Sequence, residues 1–139
     1  MKKLIFLVAF LVMAGAIFGQ TLQKGNVIGM HVGTMILDPN VTYNQFKDFW
    51  INKYIPEWDK QLQGDIKLVL AEGDRGADVN CISVMYVFKS VEVRDKYFSK
   101  EGSMTEFANT QFEKLSTIEA EFSKLGTYSE KHYTDWIIQ

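Results

Sequence analysis

The chain has 139 residues, 47% hydrophobic and 14% aromatic, with 15 basic against 17 acidic side chains and a formal charge of -2. That balance excludes an electrostatic footprint for nucleic acid or an anionic membrane surface. The single cysteine, Cys81, excludes an intramolecular disulfide and reads as a buried thiol acting as a small apolar residue.

The opening MKKLIFLVAFLVMAGAIFGQ sets two lysines before an apolar run and small residues, the layout of a secretory signal peptide over residues 1–19. The run from Leu4 to Phe18 is short of the ~20 residues that cross a bilayer. Cleavage after Ala16 or after Gly19 leaves roughly 120 residues, the size of one domain, residues 20–139. Losing Lys2 and Lys3 leaves 13 basic against 17 acidic side chains. The expected address is the periplasm or the medium, with no membrane attachment after the leader is removed.

The first strand runs from Val27 to Leu37. Its even positions, Ile28, Met30, Val32, Thr34 and Ile36, are almost wholly apolar and are expected to face the core; on the odd face His31 stands between Gly29 and Gly33, with open volume on either side of the imidazole. Asp38-Pro39-Asn40 ends the strand. Thr42 and Gln45 form a T-x-x-Q capping box for a helix whose Phe46, Phe49, Trp50, Tyr54, Trp58 and Leu62 make an aromatic stripe. Such a stripe reads as core. Pro56 predicts a kink or a new turn near Ile55, and Gly64 closes the element.

A second strand, Ile66 to Ala71, leads through the polar loop Glu72 to Asn80 into Cys81 to Lys89, a hairpin connection. Glu72, Asp74 and Asp78 match no calcium-loop spacing. The strand CISVMYVFK is apolar on both faces, so a second layer or another copy of the chain must cover each side. Ser90 caps a short helix, Val91 to Ser99. Ser103 and Glu106 make an S-x-x-E box for a long helix to Leu125, stopped by Gly126. The last strand, Tyr128 to Ile138, carries Tyr128, His132, Trp136 and Ile138 on one parity and Tyr133 and Ile137 on the other.

This order, βαββαβ, predicts an α+β ferredoxin-like fold: a four-stranded antiparallel sheet with both helices on one face and the other face open to a partner. Two such sheets can bury each other's open faces across a two-fold axis. The runs VNCISVMYVFKSVEVRDKYFSKEGS and HVGTMILDPNVTYNQFKDFWINKYIPEWDK resemble the two halves of the dimeric alpha-beta barrel proteins. The resemblance implies a homodimer with a cavity between the sheets. In that superfamily the cavity serves haem-degrading and quinone-forming monooxygenases, EthD-like and stress-responsive proteins, and members with no assigned activity.

The candidate cavity residues are Gly29, His31, Gly33, Tyr86, His132 and Trp136. His31 is suited to act as a base, a hydrogen-bond donor or an axial ligand. Tyr86 with Phe88, or Met85 with Val87, supplies the lining from the Cys81–Lys89 strand. His31 and His132 without a third ligand are not a metal site, so no metal is expected. No cofactor is expected either; haem is the alternative, but the asparagine, tryptophan and histidine set of the haem-degrading members is unmatched, since no histidine lies on a long helix. Three functions follow as expectations: an exported homodimer that binds a small apolar or aromatic ligand in the cavity between its two sheets, a cofactor-poor or haem-dependent monooxygenase, or a non-catalytic dimerisation module.

Overall fold

Extended, β-branched and aromatic sequence forms strands in the four expected places. In the computed structural model, which describes residues 22–139, β1 spans Val27–Leu37, β2 Ile66–Glu72, β3 Ile82–Phe88 and β4 Gly126–Ile137. All pairs are antiparallel, in the order β2-β3-β1-β4. The sheet and its helices make an α+β architecture compatible with a ferredoxin-like fold. The expected leader lies outside the described residues, among which no helix is long and apolar enough to cross a membrane.

The first helical stretch begins as its capping box predicts. The Gln45 amide donates to Thr42 Oγ1 at 3.3 Å and the Thr42 amide to Gln45 Oε1 at 2.8 Å, a cap worth about 1 kcal/mol. α1 (Tyr43–Phe49) then widens into a π turn, Trp50–Tyr54, before α2 (Ile55–Gln61). Here the Ile55 amide reaches back to Trp50 O, and Pro56 falls in the first turn of α2, where a missing amide is tolerated. The proline is thus absorbed by an extra residue in the turn before it.

The second helical half departs further from expectation. Ser90 caps α3 (Val91–Tyr97) as predicted, accepting from Val93 N at 3.3 Å. The next cap is Thr105, accepting from Ala108 N at 3.1 Å, and not Ser103, because the Ser103 backbone is committed to a turn with Ser99. The long helix expected to reach Leu125 is two, α4 (Glu106–Glu113) and α5 (Ser116–Phe122), with Leu115 driven into the core at the break.

Cross-strand register assigns the two faces of the sheet. Under the helices lie the rows Leu68, Tyr86, Gly29, Asp135 and Leu70, Val84, His31, Tyr133; on the open side lie Val69, Met85, Met30, Thr134 and Lys67, Val87, Ile28, Trp136. The parity expected for β1 is therefore inverted: its odd positions meet the helices, and its apolar even positions form the open face. The physical reason is volume. The aromatic stripe of α1, the π turn and α2 supplies Phe46, Trp50, Tyr54 and Trp58 to the core, and the odd face of β1 contributes Val27, Met35 and Leu37 to the same cluster, so rings and aliphatic side chains fill it together.

One irregularity positions the site. Val32 pairs with His132 but Gly33 with Glu130, so Lys131 is an extra residue in β4, a β-bulge. It resets the alternation, so Tyr128 and Glu130 before it and Tyr133 and Asp135 after it all face the helices. The expectation that Tyr128 shares a face with His132 and Trp136 fails for this reason.

Candidate functional site

Between the helices and the small residues of β1 a cleft of about 1030 Å³ remains, with Gly29, His31, Tyr86 and Tyr133 on the sheet side and Tyr54, Trp58 and Phe112 on the helix side. His31 Nδ1 is 2.5 Å from Glu130 Oε2. A carboxylate only accepts, so Nδ1 carries the proton, and in the neutral ring Nε2 is left as an acceptor. The ring stacks on Tyr133, centroids 5.2 Å apart at 12°, and meets Tyr86 edge-on at 5.0 Å and 73°. Three contacts fix the imidazole plane.

The space beside Nε2 exists because residue 29 is glycine. A Cβ there would lie 3.9 Å from Nε2 and 3.0 Å from Asp135 Oδ1. Asp135 in turn accepts from Arg94 Nη1 at 3.0 Å, while Arg94 Nε and Nη2 bind Asp95 Oδ1 at 2.9 and 2.8 Å. Held first by Asp95 and then by Asp135, the guanidinium has its pKa raised further and serves as a strut between α3 and β4.

On the helix side the Tyr54 hydroxyl donates to Glu119 Oε1 at 2.5 Å. Burial, and next Glu119, push its pKa far above the ordinary phenol value. The Trp58 indole N–H is buried without a hydrogen-bond partner, although it is close enough to the Tyr54 oxygen to oppose that rise slightly. Tyr86 is also shifted up, by burial first, then by Glu119, Tyr128 and Glu130.

A strap of residues 98–104 borders the mouth. Phe98 bridges Met104 antiparallel, Ser99 N donates to Ser103 O at 2.8 Å, and Gly102 turns at φ +81°. A Cβ on Gly102 would stand 3.2 Å from the Tyr133 hydroxyl, so the tip of the strap rests against the stacked pair.

Of the residues singled out from sequence for an inter-sheet cavity, Gly29, His31 and Tyr86, with Phe88 beside them, meet instead in this cleft on the helix-covered side of the sheet, because the parity of β1 is inverted, and they do not lie on the open face that such a cavity would use. His132 and Trp136 lie on the opposite face of the sheet; His132 Nε2 sits 3.4 Å from Asp78 Oδ1, and Trp136 is 57% exposed. The two histidines are thus not assembled. Gly33 serves the bulge, since a Cβ there would stand 2.3 Å from the Ser129 carbonyl oxygen. Met85 and Val87 belong to the open face. Glu72, Asp74 and Asp78 have separate partners, Lys47 with Tyr43, Arg75 and His132. Among the described residues no three His, Cys, Asp or Glu side chains gather as a metal site.

Glu119, Glu130, Tyr133, Asp135 and Arg94 escape a sequence reading. The available signal was Gly33, because a glycine inside a strand marks a bulge or a close backbone approach. The lining does not fit the haem set either: it contains no asparagine, and both histidines are on strands. Comparisons of the chain with protein-family models, with curated proteins and with solved structures find no match.

Proposed function

We propose that this is an exported homodimer of the dimeric alpha-beta barrel type that binds a small aromatic or apolar ligand in the cleft under its helices, with the His31–Glu130 pair as the polar anchor. The observation that carries this reading is the convergence of an oriented imidazole, with Nε2 facing glycine-made space, on a cleft walled by aromatic side chains. The cleft is complete within one protomer, so binding does not depend on the dimer. Titrating the protein with 1-naphthalenemethanol by calorimetry tests the reading; no saturable heat at millimolar probe would sink it.

His31→Ala should weaken that probe about tenfold while lowering unfolding free energy by less than about 1 kcal/mol, because both members of the pair are solvent-accessible. A loss of about 1–3 kcal/mol with unchanged affinity would make His31 a structural residue.

The same dyad favours a second reading, an enzyme. A ligand with an acidic O–H or C–H would pass its proton to Nε2, and Glu130 would hold the resulting imidazolium. With dioxygen as co-substrate that is the chemistry of a cofactor-poor monooxygenase, and oxygen consumption on adding a phenolic or enolic substrate is its test.

The dimer is supported by the open face. Met30, Met85 and Val69 form a row across its middle, flanked by Ile28, Val87 and the exposed Trp136, with a groove of about 630 Å³ running beside Ile28, Val69, Met85 and Val87. The patch combines flexible thioethers and branched methyls with little charge apart from Lys67, and a second copy presents the same surface across a two-fold axis. Met85→Glu should convert a sedimenting dimer into a monomer while leaving affinity for the probe within about twofold. A wild-type protein that sediments as a monomer at micromolar concentration would remove the dimer but not the cleft.

A further inference from the structure

We infer that the ligand of the helix-side cleft is an organic cation, an ammonium group carried on an aromatic or apolar body. This inference rests on the cleft being a binding site and adds the charge of its occupant. Four carboxylates, Glu101, Glu119, Glu130 and Asp135, border the cleft against two fixed cations, Arg94 and Lys100. Arg94 is fully engaged by Asp95 and Asp135, and Lys100 is an exposed side chain on the strap. Glu119 has a phenol for a partner and, among the described residues, no cation within ion-pair distance; Glu130 has only the imidazole.

These two side chains line the same cleft. Burial first, and then the charges of Glu119, Tyr128 and Glu130, raise the pKa of Tyr86, a half-buried side chain of the same cleft whose hydroxyl makes no hydrogen bond among the described residues. Held protonated there, the phenol brings no charge of its own and cannot neutralise either neighbour. The lining also carries Tyr54, Trp58, Tyr86, Phe112 and Tyr133, whose π faces carry partial negative charge. Carboxylates without fixed counter-ions, set beside π faces at one cleft, attract a cation and repel an anion. An ammonium on an apolar body uses both terms, and an uncharged ligand of the same shape uses only the apolar one.

Three probes of nearly equal shape separate the possibilities: 1-naphthylmethylammonium, 1-naphthalenemethanol and 1-naphthoate, titrated into the purified protein by calorimetry near neutral pH. The ammonium should bind about tenfold tighter than the alcohol, and the carboxylate weakest. Glu119→Gln keeps an acceptor for the Tyr54 hydroxyl and should close most of that gap while changing the alcohol's affinity by less than about twofold; Glu130→Gln should narrow the gap in the same sense. If the alcohol or the naphthoate binds as tightly as the ammonium, the cation inference is wrong and the cleft remains a binding site. If none of the three binds, both readings fall together.

Discussion

Phe46→Ala is expected to lower unfolding free energy by about 3–5 kcal/mol, seen as a shift of the urea midpoint at constant slope. Phe46 is fully buried, its ring 5.7 Å from Tyr43, 6.2 Å from Trp50 and 6.4 Å from Phe122. It ties α1 to α5 over the sheet, and truncation leaves a cavity that these rigid neighbours cannot close. Phe46 does not line the cleft, so affinity for a naphthalene probe should be unchanged in the folded variant. Trp58, on the same stripe, borders the cleft 5.7 Å from Tyr86 and 5.5 Å from Phe112, so Trp58 variants should lose both stability and affinity. A Phe46→Ala variant with its midpoint unmoved would mean that α1 is not docked as described.

That contrast shows what kind of information the sequence carried. The stripe at helical spacing announced a core helix, the capping box announced its start, and the four strands lay where alternation and turn residues put them. These are local patterns, each written within a few neighbouring residues. The faces of the sheet were harder. β1 offers apolar side chains at its even positions and glycines at two odd ones, and a rule of thumb sends the apolar set inward. Yet the odd face also carries Val27, Met35 and Leu37, which join the helices' rings in one core, a choice made by the fit between distant segments. β4 was illegible for a second reason. A strict period of two puts Tyr128 with His132 and Trp136, but one extra residue, Lys131, breaks the period and delivers Glu130 and Tyr133 to the same side as His31. The carboxylate that holds His31 therefore depends on a backbone irregularity whose only local mark was Gly33.

Gly33→Val should test that dependence, with an expected loss of about 2–3 kcal/mol and a matching loss of ligand affinity. Even the first carbon of a side chain at residue 33 would stand 2.3 Å from the Ser129 oxygen, 2.9 Å from its carbonyl carbon and 2.9 Å from the Tyr128 ring. Two of those three atoms are backbone, so a rotamer change cannot relieve them. β1 and β4 must part there or re-pair without the bulge. Re-pairing by one residue would turn Glu130 to the open face and leave Tyr133 in place, because the shift acts only on the segment before Lys131. His31 would then keep its stacking partner and lose the carboxylate that holds its Nδ1 proton. Circular dichroism and urea titration read the first effect; the second appears as a loss of probe affinity about as large as that of Glu130→Ala, with little further loss when the two substitutions are combined. Full additivity of the two in affinity would show that Gly33 does not act through Glu130, and an unchanged unfolding midpoint would show that β4 does not approach β1 this closely.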